Sequence, residues 1–296
     1  MEIFSHDSVS SMDFDGAAFG WSPTSGASVD RSLRIDKDDT PANPTSGDNG
    51  EAMGPLEHER LEESMRRLRA LERRELEYLP VPNYLTSVQH ALHAQARDEI
   101  VHWMIEFAES LRVSLVSVAL GVNALDRFLS VQAIPHTAVR PVAAACFLLG
   151  CKMNENDNHI PAVAFLAWSA GSNVVSIRTA EKLVLRALQW DINAVTAHQM
   201  VGLLLDTKHR FAAADPDASR SLEMFLDMFL EISLRDVHIA EFPASVCADA
   251  CIMACFSMVP KRLPGRAMAD RQELRQQQEA QCFTLLMNAF QKIEGA

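Results

Sequence analysis

Hydrophobic residues are densest between residues 97 and 155, where three consecutive stretches are apolar on almost every side at helical spacing. A helix that is apolar all round must be enclosed by other helices or by lipid. No part of this region reaches the roughly 18 consecutive residues without polar groups that a membrane span needs. The pattern therefore predicts the interior of a helical bundle and no membrane partner.

The rest of the chain also shows helical patterns separated by short breaks. Residues 56–79 carry leucines at roughly helical spacing among many charges, which predicts an amphipathic helix on the outside of the protein, ended by Pro80 and Pro82. No alternating β-type run of useful length appears, so the predicted fold class is all-α. Nine further helices are predicted near 95–110, 113–130, 137–152, 161–170, 174–189, 196–209, 218–236, 243–258 and 270–292.

Two predicted helical stretches, 138–151 and 245–256, are dense in alanine, cysteine and other small residues. Small side chains let neighbouring helices approach to about 8–10 Å, which a helix surrounded on all sides requires. One such helix in each half predicts two tandem bundles, each around its own central helix. We place the amphipathic helix at 56–82 and the bundles at 83–193 and 194–296.

Residues 1–55 have a different composition. They are rich in Ser, Asp, Gly, Pro and Thr, and they hold ten acidic and three basic side chains, a local net charge of −7. Such a segment cannot bury enough apolar surface to offset chain entropy, so we expect a disordered acidic tail. Ser22 and Thr40 each precede proline and are candidate phosphorylation sites for proline-directed kinases. Chance occurrence in a Pro/Ser-rich tail is the alternative.

Charge and cysteine usage narrow the class of protein. The formal net charge is −12, and no basic stripe stands out that could offset phosphate repulsion, so we expect no nucleic-acid partner. All six cysteines follow residue 145 and lie mostly in apolar runs, which indicates a reducing compartment. The first residues lack the basic and apolar regions of a secretory signal. We expect the protein in the nucleus or cytoplasm.

Catalytic and cofactor motifs are absent from the sequence, so no enzymatic activity and no cofactor is predicted. Cys247, Cys251 and Cys255 fall at helical i, i+4 and i+8 spacing, where thiolates could bind a soft metal. Free cysteine more often behaves as a small buried hydrophobe, which is the interpretation we adopt. His90 and His93 form a lone H-x-x-H, and no metal site is predicted.

Four charged residues interrupt or flank the apolar helices in a way that bears on function. Arg97 and Asp126 each sit on a strongly apolar helix, where an unpaired charge would cost several kcal/mol, so we predict a buried ion pair between them. Lys152 and Glu181 would by themselves be taken as solvated, Lys152 near the negative end of a helix dipole.

Four sequence segments, three in the apolar region of residues 97–155 and one beyond it, resemble those of a known protein family. The strings RDEIVHWM (97–104), NALDRFLS (123–130) and CKMNE (151–155), followed by AEKLVLRALQWDI (180–192), occur in the order and spacing of the cyclin box. The preceding segment ERRELEYLPVPNYL (72–85) is similar to that of plant D-type cyclins. Pro243-Ala244-Ser245 also fits, so the resemblance covers about 58–292.

The resemblance implies two tandem five-helix cyclin folds and a non-catalytic, activating role toward a cyclin-dependent kinase at the G1/S transition, in the nucleus. It implies that Lys152, Glu155 and Glu181 contact the kinase, and that Arg97 and Asp126 pair within the chain. A kinase inhibitor and a ubiquitin ligase are implied as further partners. A cyclin-fold transcription adaptor or a kinase-independent scaffold is the alternative; an adaptor that binds DNA would need a basic face.

The resemblance also implies a docking patch for substrates and inhibitors, formed around Arg97, Ile100 and Trp103. Here Ala96 and Glu99 stand where many cyclins have Met and Ile, so the patch departs from the family pattern for Arg-x-Leu docking. Pro141 lies where the family usually has Leu, and proline fits only a first helical turn. The tail contains no Leu-x-Cys-x-Glu motif, so no retinoblastoma protein is expected to bind by that route.

Overall fold

A computed structural model describes residues 54–89, 92–209, 216–258 and 273–294. The described residues form helices and no strands, which confirms the all-α class. The tail with Ser22 and Thr40, and also His90, lies outside them. The helices are α1 (Pro55–Arg74), α2 (Tyr84–Ser87), α3 (Ala94–Leu111), α4 (Leu115–Val131), α5 (His136–Asn154), α6 (Val163–Ser169), α7 (Val174–Ala187), α8 (Ala197–Leu204), α9 (Pro216–Arg235), α10 (Ala244–Met258) and α11 (Glu273–Glu294).

Polar caps set several of these boundaries. Ser114 begins α4, and its hydroxyl accepts a hydrogen bond from the Val116 amide at 3.2 Å. The Asn173 side chain does the same for the Ser176 amide at the start of α7, at 2.8 Å. Each cap satisfies an amide that has no partner inside the helix. Arg112 ends α3 in the left-handed region, with φ of 56°.

The first bundle is built around α5. Its residues 142–151 are all buried, and it packs against α3, α4, α6 and α7. The closest approach is to α4, where glycine is required on both helices. A Cβ on Gly121 would lie 3.0 Å from the Cys146 carbonyl oxygen, and a Cβ on Gly150 would lie 2.9 Å from the Gly121 nitrogen and closer still to the Ser117 carbonyl oxygen.

The second bundle repeats this arrangement around α10. Helices α8, α9 and α11 pack on α10, whose small residues Ala248, Ala250 and Ala254 have no exposed surface. The two bundles have separate hydrophobic cores. Both small-residue segments found in the sequence are therefore central helices.

Helix α1 lies on the second bundle, and it is shorter than predicted. Leu68 is buried and Leu71 packs against the second core, whereas Met65 and Leu76 are exposed. The helix ends at Arg74 and not at Leu79, because residues 75–78 tighten into a 3₁₀ turn.

The 3₁₀ turn at residues 75–78 forms hydrogen bonds with both bundles. The buried Glu75 carboxylate accepts hydrogen bonds from the Ser245 amide at 2.7 Å and from its hydroxyl at 2.9 Å, at the start of α10. Burial raises the pKa of Glu75, while these bonds act in the opposite direction. On the other side, the Tyr78 carbonyl accepts a hydrogen bond from the Asn123 side chain of α4 at 2.8 Å.

The expected position of Pro141 in a first helical turn is wrong. It is the sixth residue of α5 and lies inside the helix. Proline has no amide hydrogen, so the helix continues there with one backbone hydrogen bond fewer. The rest of α5 is held by its buried packing.

Replacing Gly150 by alanine tests the close approach of α4 and α5. We expect the variant to lose about 1–3 kcal/mol of unfolding free energy, because the new methyl group meets backbone atoms that cannot move aside. In a helix without that neighbour, glycine to alanine stabilises by up to about 1 kcal/mol. Gly54→Ala is the control, since a Cβ there has nothing within 4 Å. Chemical denaturation measures the unfolding free energy of both variants. A Gly150→Ala protein as stable as wild type would contradict the close approach of α4 and α5 at this position.

Candidate functional site

A buried ion pair joins α3 to α4. The Arg97 Nε donates to Asp126 Oδ1 at 2.8 Å and its Nη2 donates to Oδ2 at 2.6 Å, a two-point geometry that only a guanidinium can make. The side chains are 0% and 2% exposed. Tyr84 donates from its hydroxyl to the same Oδ1 at 2.6 Å.

The remaining Arg97 nitrogen reaches the second bundle. Its Nη1 donates to the carbonyl oxygens of Leu234 at 3.1 Å and Arg235 at 2.8 Å, at the end of α9. These carbonyls are the negative end of the α9 dipole, so a cation there is favourable. Burial alone would lower the pKa of Arg97, but the Asp126 carboxylate outweighs it and the pKa is raised. Arg97 is therefore charged and fixes α3, α4 and α9 together.

Arg97 cannot belong to a surface docking patch. Its side chain has no exposed area, and its hydrogen bonds are made inside the protein. Ile100 is 8% exposed, and Trp103 is partly exposed. The implied patch is thus corrected to a surface that includes Trp103 without Arg97, with exposed Glu99 beside it.

Sequence reasoning missed the aromatic neighbours of Trp103. Its indole nitrogen donates to the Ser169 hydroxyl at 3.2 Å, and the Arg140 guanidinium lies 5.6 Å from its ring centroid. Further along this surface, Phe165 and Trp168 of α6 stack at 5.8 Å and are 44% and 76% exposed. In the sequence, the spacing of three residues between Phe165 and Trp168 within one short predicted helix indicates that their rings could lie on the same side.

Lys152 and Glu181 meet at the surface of the first bundle. Lys152, in the last turn of α5, forms an ion pair with Glu181 of α7. Arg178, one turn earlier on α7, lies 3.5 Å from the other carboxylate oxygen. The Glu181 side chain is 10% exposed and that of Lys152 is 37% exposed. The carboxylate is thus held in place by two cations, while the lysine keeps access to solvent.

Glu155 is close in sequence but does not join that pair. Its Oε1 accepts hydrogen bonds from the Ser114 amide at 2.9 Å and the Ser117 hydroxyl at 2.6 Å. A carboxylate at the start of α4 is stabilised by the unpaired amides and by the helix dipole. In this structure Glu155 therefore fixes the start of α4 against the end of α5.

The expectation that the chain has no basic stripe is wrong. The second half of α1 is RRLRALERR, residues 66–74, and all five arginines are exposed. At 100° per residue they occupy the side of α1 opposite Leu68. We call this surface the arginine face; its members are Arg66, Arg67, Arg69, Arg73 and Arg74. The sequence shows the run plainly, but averaging charge over an acidic chain concealed it.

A partly open pocket of about 80 Å³ lies between the two bundles, lined by residues that include Asn123, Asp126, His198 and Cys247. Both ring nitrogens of His198 are buried, and neither has a hydrogen-bond partner among the described residues. Burial lowers the pKa of His198 to about 4. His198 is therefore neutral near pH 7.

The six cysteines are free and buried. Burial raises the pKa of Cys255 to about 12, so that thiol stays protonated. The described residues contain no group of three or more His, Cys, Asp or Glu that could hold a metal ion. In the same part of the chain, no single helix is long and apolar enough to cross a membrane, although Asp157–Ser169 and Val174–Ala187 meet the criterion as a pair bent by 116°.

Comparisons with known proteins agree with this architecture. A family model described as "Cyclin, N-terminal domain" matches residues 66–193. G1/S-specific cyclin-D3 of Bos taurus is 29% identical over 195 residues, covering 66% of this chain and 65% of the bovine protein. The chain thus matches slightly less than two thirds of that relative's length.

Two solved structures share the fold. The X-ray structure of a viral cyclin from herpesvirus saimiri aligns with a TM-score of 0.63 and 20% identity, covering 75% of this chain and 97% of the viral chain. The yeast RNA Pol II CTD kinase CTDK-1 complex contains a chain that aligns with a TM-score of 0.54 and 12% identity, covering 73% of this chain and 70% of that chain. Residues 66–193 are therefore similar to the N-terminal domain of cyclins, and the described helices share the cyclin fold.

Removing Asp126 tests the buried pair. We expect Asp126→Ala to lose about 3–5 kcal/mol of unfolding free energy, because Arg97 is left charged and without its carboxylate in the interior. Asp98→Ala is the matched control: it removes the carboxylate of the half-exposed Arg235–Asp98 pair, with side chains 26% and 37% exposed, and should cost at most about 1 kcal/mol. If a denaturation experiment gave equal losses of unfolding free energy for the two variants, burial of the ion pair would not explain the loss.

His198 predicts a pH dependence of stability. Its folded pKa of about 4 lies below the ordinary histidine value of 6.5, so the unfolded state binds more protons between these pH values. The neutral His198 lowers the unfolding free energy only when the pH falls below about 6.5. The loss of unfolding free energy amounts to about 2 kcal/mol at pH 5. We expect His198→Gln to lose less stability than wild type between pH 7.5 and pH 5, measured by urea unfolding. His238→Gln, at an exposed histidine, is the control. If His198→Gln loses as much unfolding free energy as wild type between pH 7.5 and pH 5, His198 is not the source of the pH dependence.

Proposed function

We propose that the chain is the non-catalytic, activating subunit of a cyclin-dependent kinase, acting as a D-type cyclin at the G1/S transition. The match to the cyclin N-terminal domain and the similarity to a cyclin D3 support this proposal. A structure of a kinase complex among those that share the fold is in line with it. We place its activity in the nucleus.

The observation that carries the proposal is the Lys152–Glu181 pair. Both residues lie within the region that matches the cyclin model, and the implied kinase-contacting lysine and glutamate are adjacent at one surface. Residues 151 and 184, on the same two helices, are fully buried. A rigid base of this kind presents a fixed pattern of charges, which limits the entropy lost on binding.

Activation would follow from unequal affinity for two kinase states. A subunit that binds the active arrangement of the kinase more tightly shifts the population toward it, by no more than the difference in binding free energy. The chain supplies contacts and no reacting group. In this scheme Lys152 and Glu181 are binding residues, and Glu155 supports them by fixing the end of α5.

Substrates and inhibitors would dock on the aromatic surface formed by Trp103, Phe165 and Trp168. Glu99 and the small Ala96 leave this surface less apolar around Trp103 than the family pattern implies. A partner rich in aromatic or basic groups fits it better, since cations are attracted to exposed indole rings. A ubiquitin ligase is a further proposed partner, with Ser22 and Thr40 as candidate marks.

A cyclin-fold adaptor for an anionic macromolecule is the second candidate. The arginine face of α1 favours it, because five arginines within nine residues form the kind of basic surface that phosphate-bearing partners need. Acidic residues flank that face at Glu63 and Glu77, and the chain carries a net charge of −12, which disfavours long-range attraction of nucleic acid.

The kinase proposal is tested by removing both charges of the pair. We expect Lys152→Ala combined with Glu181→Ala to abolish copurification of a cyclin-dependent kinase from dividing cells, together with the associated phosphate transfer. Lys292→Ala with Glu223→Ala is the matched control, because it removes one exposed lysine and one exposed glutamate from the second bundle. Far-ultraviolet circular dichroism establishes that both proteins are folded.

Two results would overturn the proposal. One is a kinase bound and active with the Lys152/Glu181 variant at the wild-type level. The other is a wild-type protein that enriches nucleic acid or its binding proteins and no kinase, which would favour the adaptor.

A further inference from the structure

The two sides of α1 have different roles. Its inner side is occupied: Leu68 is buried, and Glu72 is near Lys208 at 3.3 Å and Arg275 at 3.6 Å, in an ion network that ties α1 to the second bundle. The outer side carries the arginine face. Among the described residues, only Arg74 of that face contacts a core side chain, that of Tyr78.

Most of the arginine face is electrostatically unsatisfied. Arg66 pairs with Glu63 at 2.8 Å, and Arg74 contacts the Tyr78 hydroxyl and lies 5.3 Å from its ring centroid. Arg67, Arg69 and Arg73 are exposed and form no ion pair or hydrogen bond with a described residue. Helix propensity and the α1 dipole favour basic residues in the last turn, but they do not require three more before it.

The complementary charge precedes α1 in the same chain. Residues 1–53 hold ten acidic and three basic side chains, and they lead directly into Gly54 and α1. The densest acidic group is DKDD, residues 36–39. Any contact between this segment and α1 is intramolecular, so it does not depend on the protein concentration.

The connecting length fits such a contact. Arg66 to Arg74 lie about 18–30 Å from Gly54 along α1, at about 1.5 Å per residue. Gly54 follows Asp39 by 15 residues, a length of chain that spans at most about 50 Å when fully extended. The acidic group therefore reaches the arginine face without strain.

We propose that the arginine face of α1 is a docking surface for the chain's own acidic N-terminal segment, centred on residues 36–39. The segment shields the basic surface from other anionic partners. This docking does not depend on the identity of any kinase, since both partners belong to the chain itself.

The test uses the full-length protein with a nitroxide label on Ser32→Cys. The six native cysteines are buried, so the introduced thiol is the accessible one. In 0.05 M salt, we expect the label to broaden the amide signals of residues 66–74 and not those of residues 176–187 on α7. In 1 M salt, where the Debye length falls to about 3 Å, the broadening should be lost.

Charge reversal assigns the contact to the arginine face. Arg67→Glu combined with Arg69→Glu and Arg73→Glu should eliminate the broadening of α1. Lys182→Glu combined with Arg186→Glu and Lys292→Glu changes the total charge equally at exposed positions elsewhere and should leave it intact. Circular dichroism checks that both triple variants keep their helix content.

Three outcomes would overturn the proposal: no selective broadening of α1 at low salt, broadening that persists in the α1 triple variant, or broadening lost equally in the control. If wild type shows no broadening while a polyanion such as heparin binds α1, the surface serves an external anionic partner instead.

Discussion

One buried guanidinium determines how the two bundles sit together. Arg97 donates to Asp126 within the first bundle and to the carbonyls of Leu234 and Arg235 at the end of α9. A charge without exposed surface is tolerated only when its donors are satisfied, so α3, α4 and α9 have one acceptable arrangement. Hydrogen bonds of Glu75 with Ser245 and of Tyr78 with Asn123 link the turn at residues 75–78 to both bundles as well.

The surface pair depends on this frame. Lys152 and Glu181 meet because α5 and α7 pack closely, and α5 is held against α4 by the Gly121–Gly150 approach and by Glu155 at the start of α4. Small residues thus set the helix separation, and the helix separation sets the distance between the two charges. A substitution in the core that changed the helix separation would therefore move Lys152 and Glu181, although it lies away from the proposed kinase surface.

Periodicity and side-chain size were sufficient to predict the described helices other than the short α2, the two central helices and the all-α class. The cost of burying charge was sufficient to pair Arg97 with Asp126, because each stands alone on an apolar helix. The links from Arg97 to α9 could not be predicted, since backbone carbonyls leave no sequence signal. The capping role of Glu155 depends on a fold contact with Ser114, 41 residues earlier in the chain. The family resemblance gave residue roles but placed the buried Arg97 on a surface.

The charges of this chain fall into two groups that differ in purpose. Arg97, Asp126 and Glu75 are buried and fully partnered, so they specify the fold and are unavailable to other molecules. The Lys152–Glu181 pair and the arginine face lie at the surface, and Arg67, Arg69 and Arg73 form no ion pair with a described residue. The helices that carry these charges set their geometry. Exposed charge of this kind contributes little to stability. We therefore infer that these charges serve binding, and we expect substitutions there to alter function while leaving the fold unchanged.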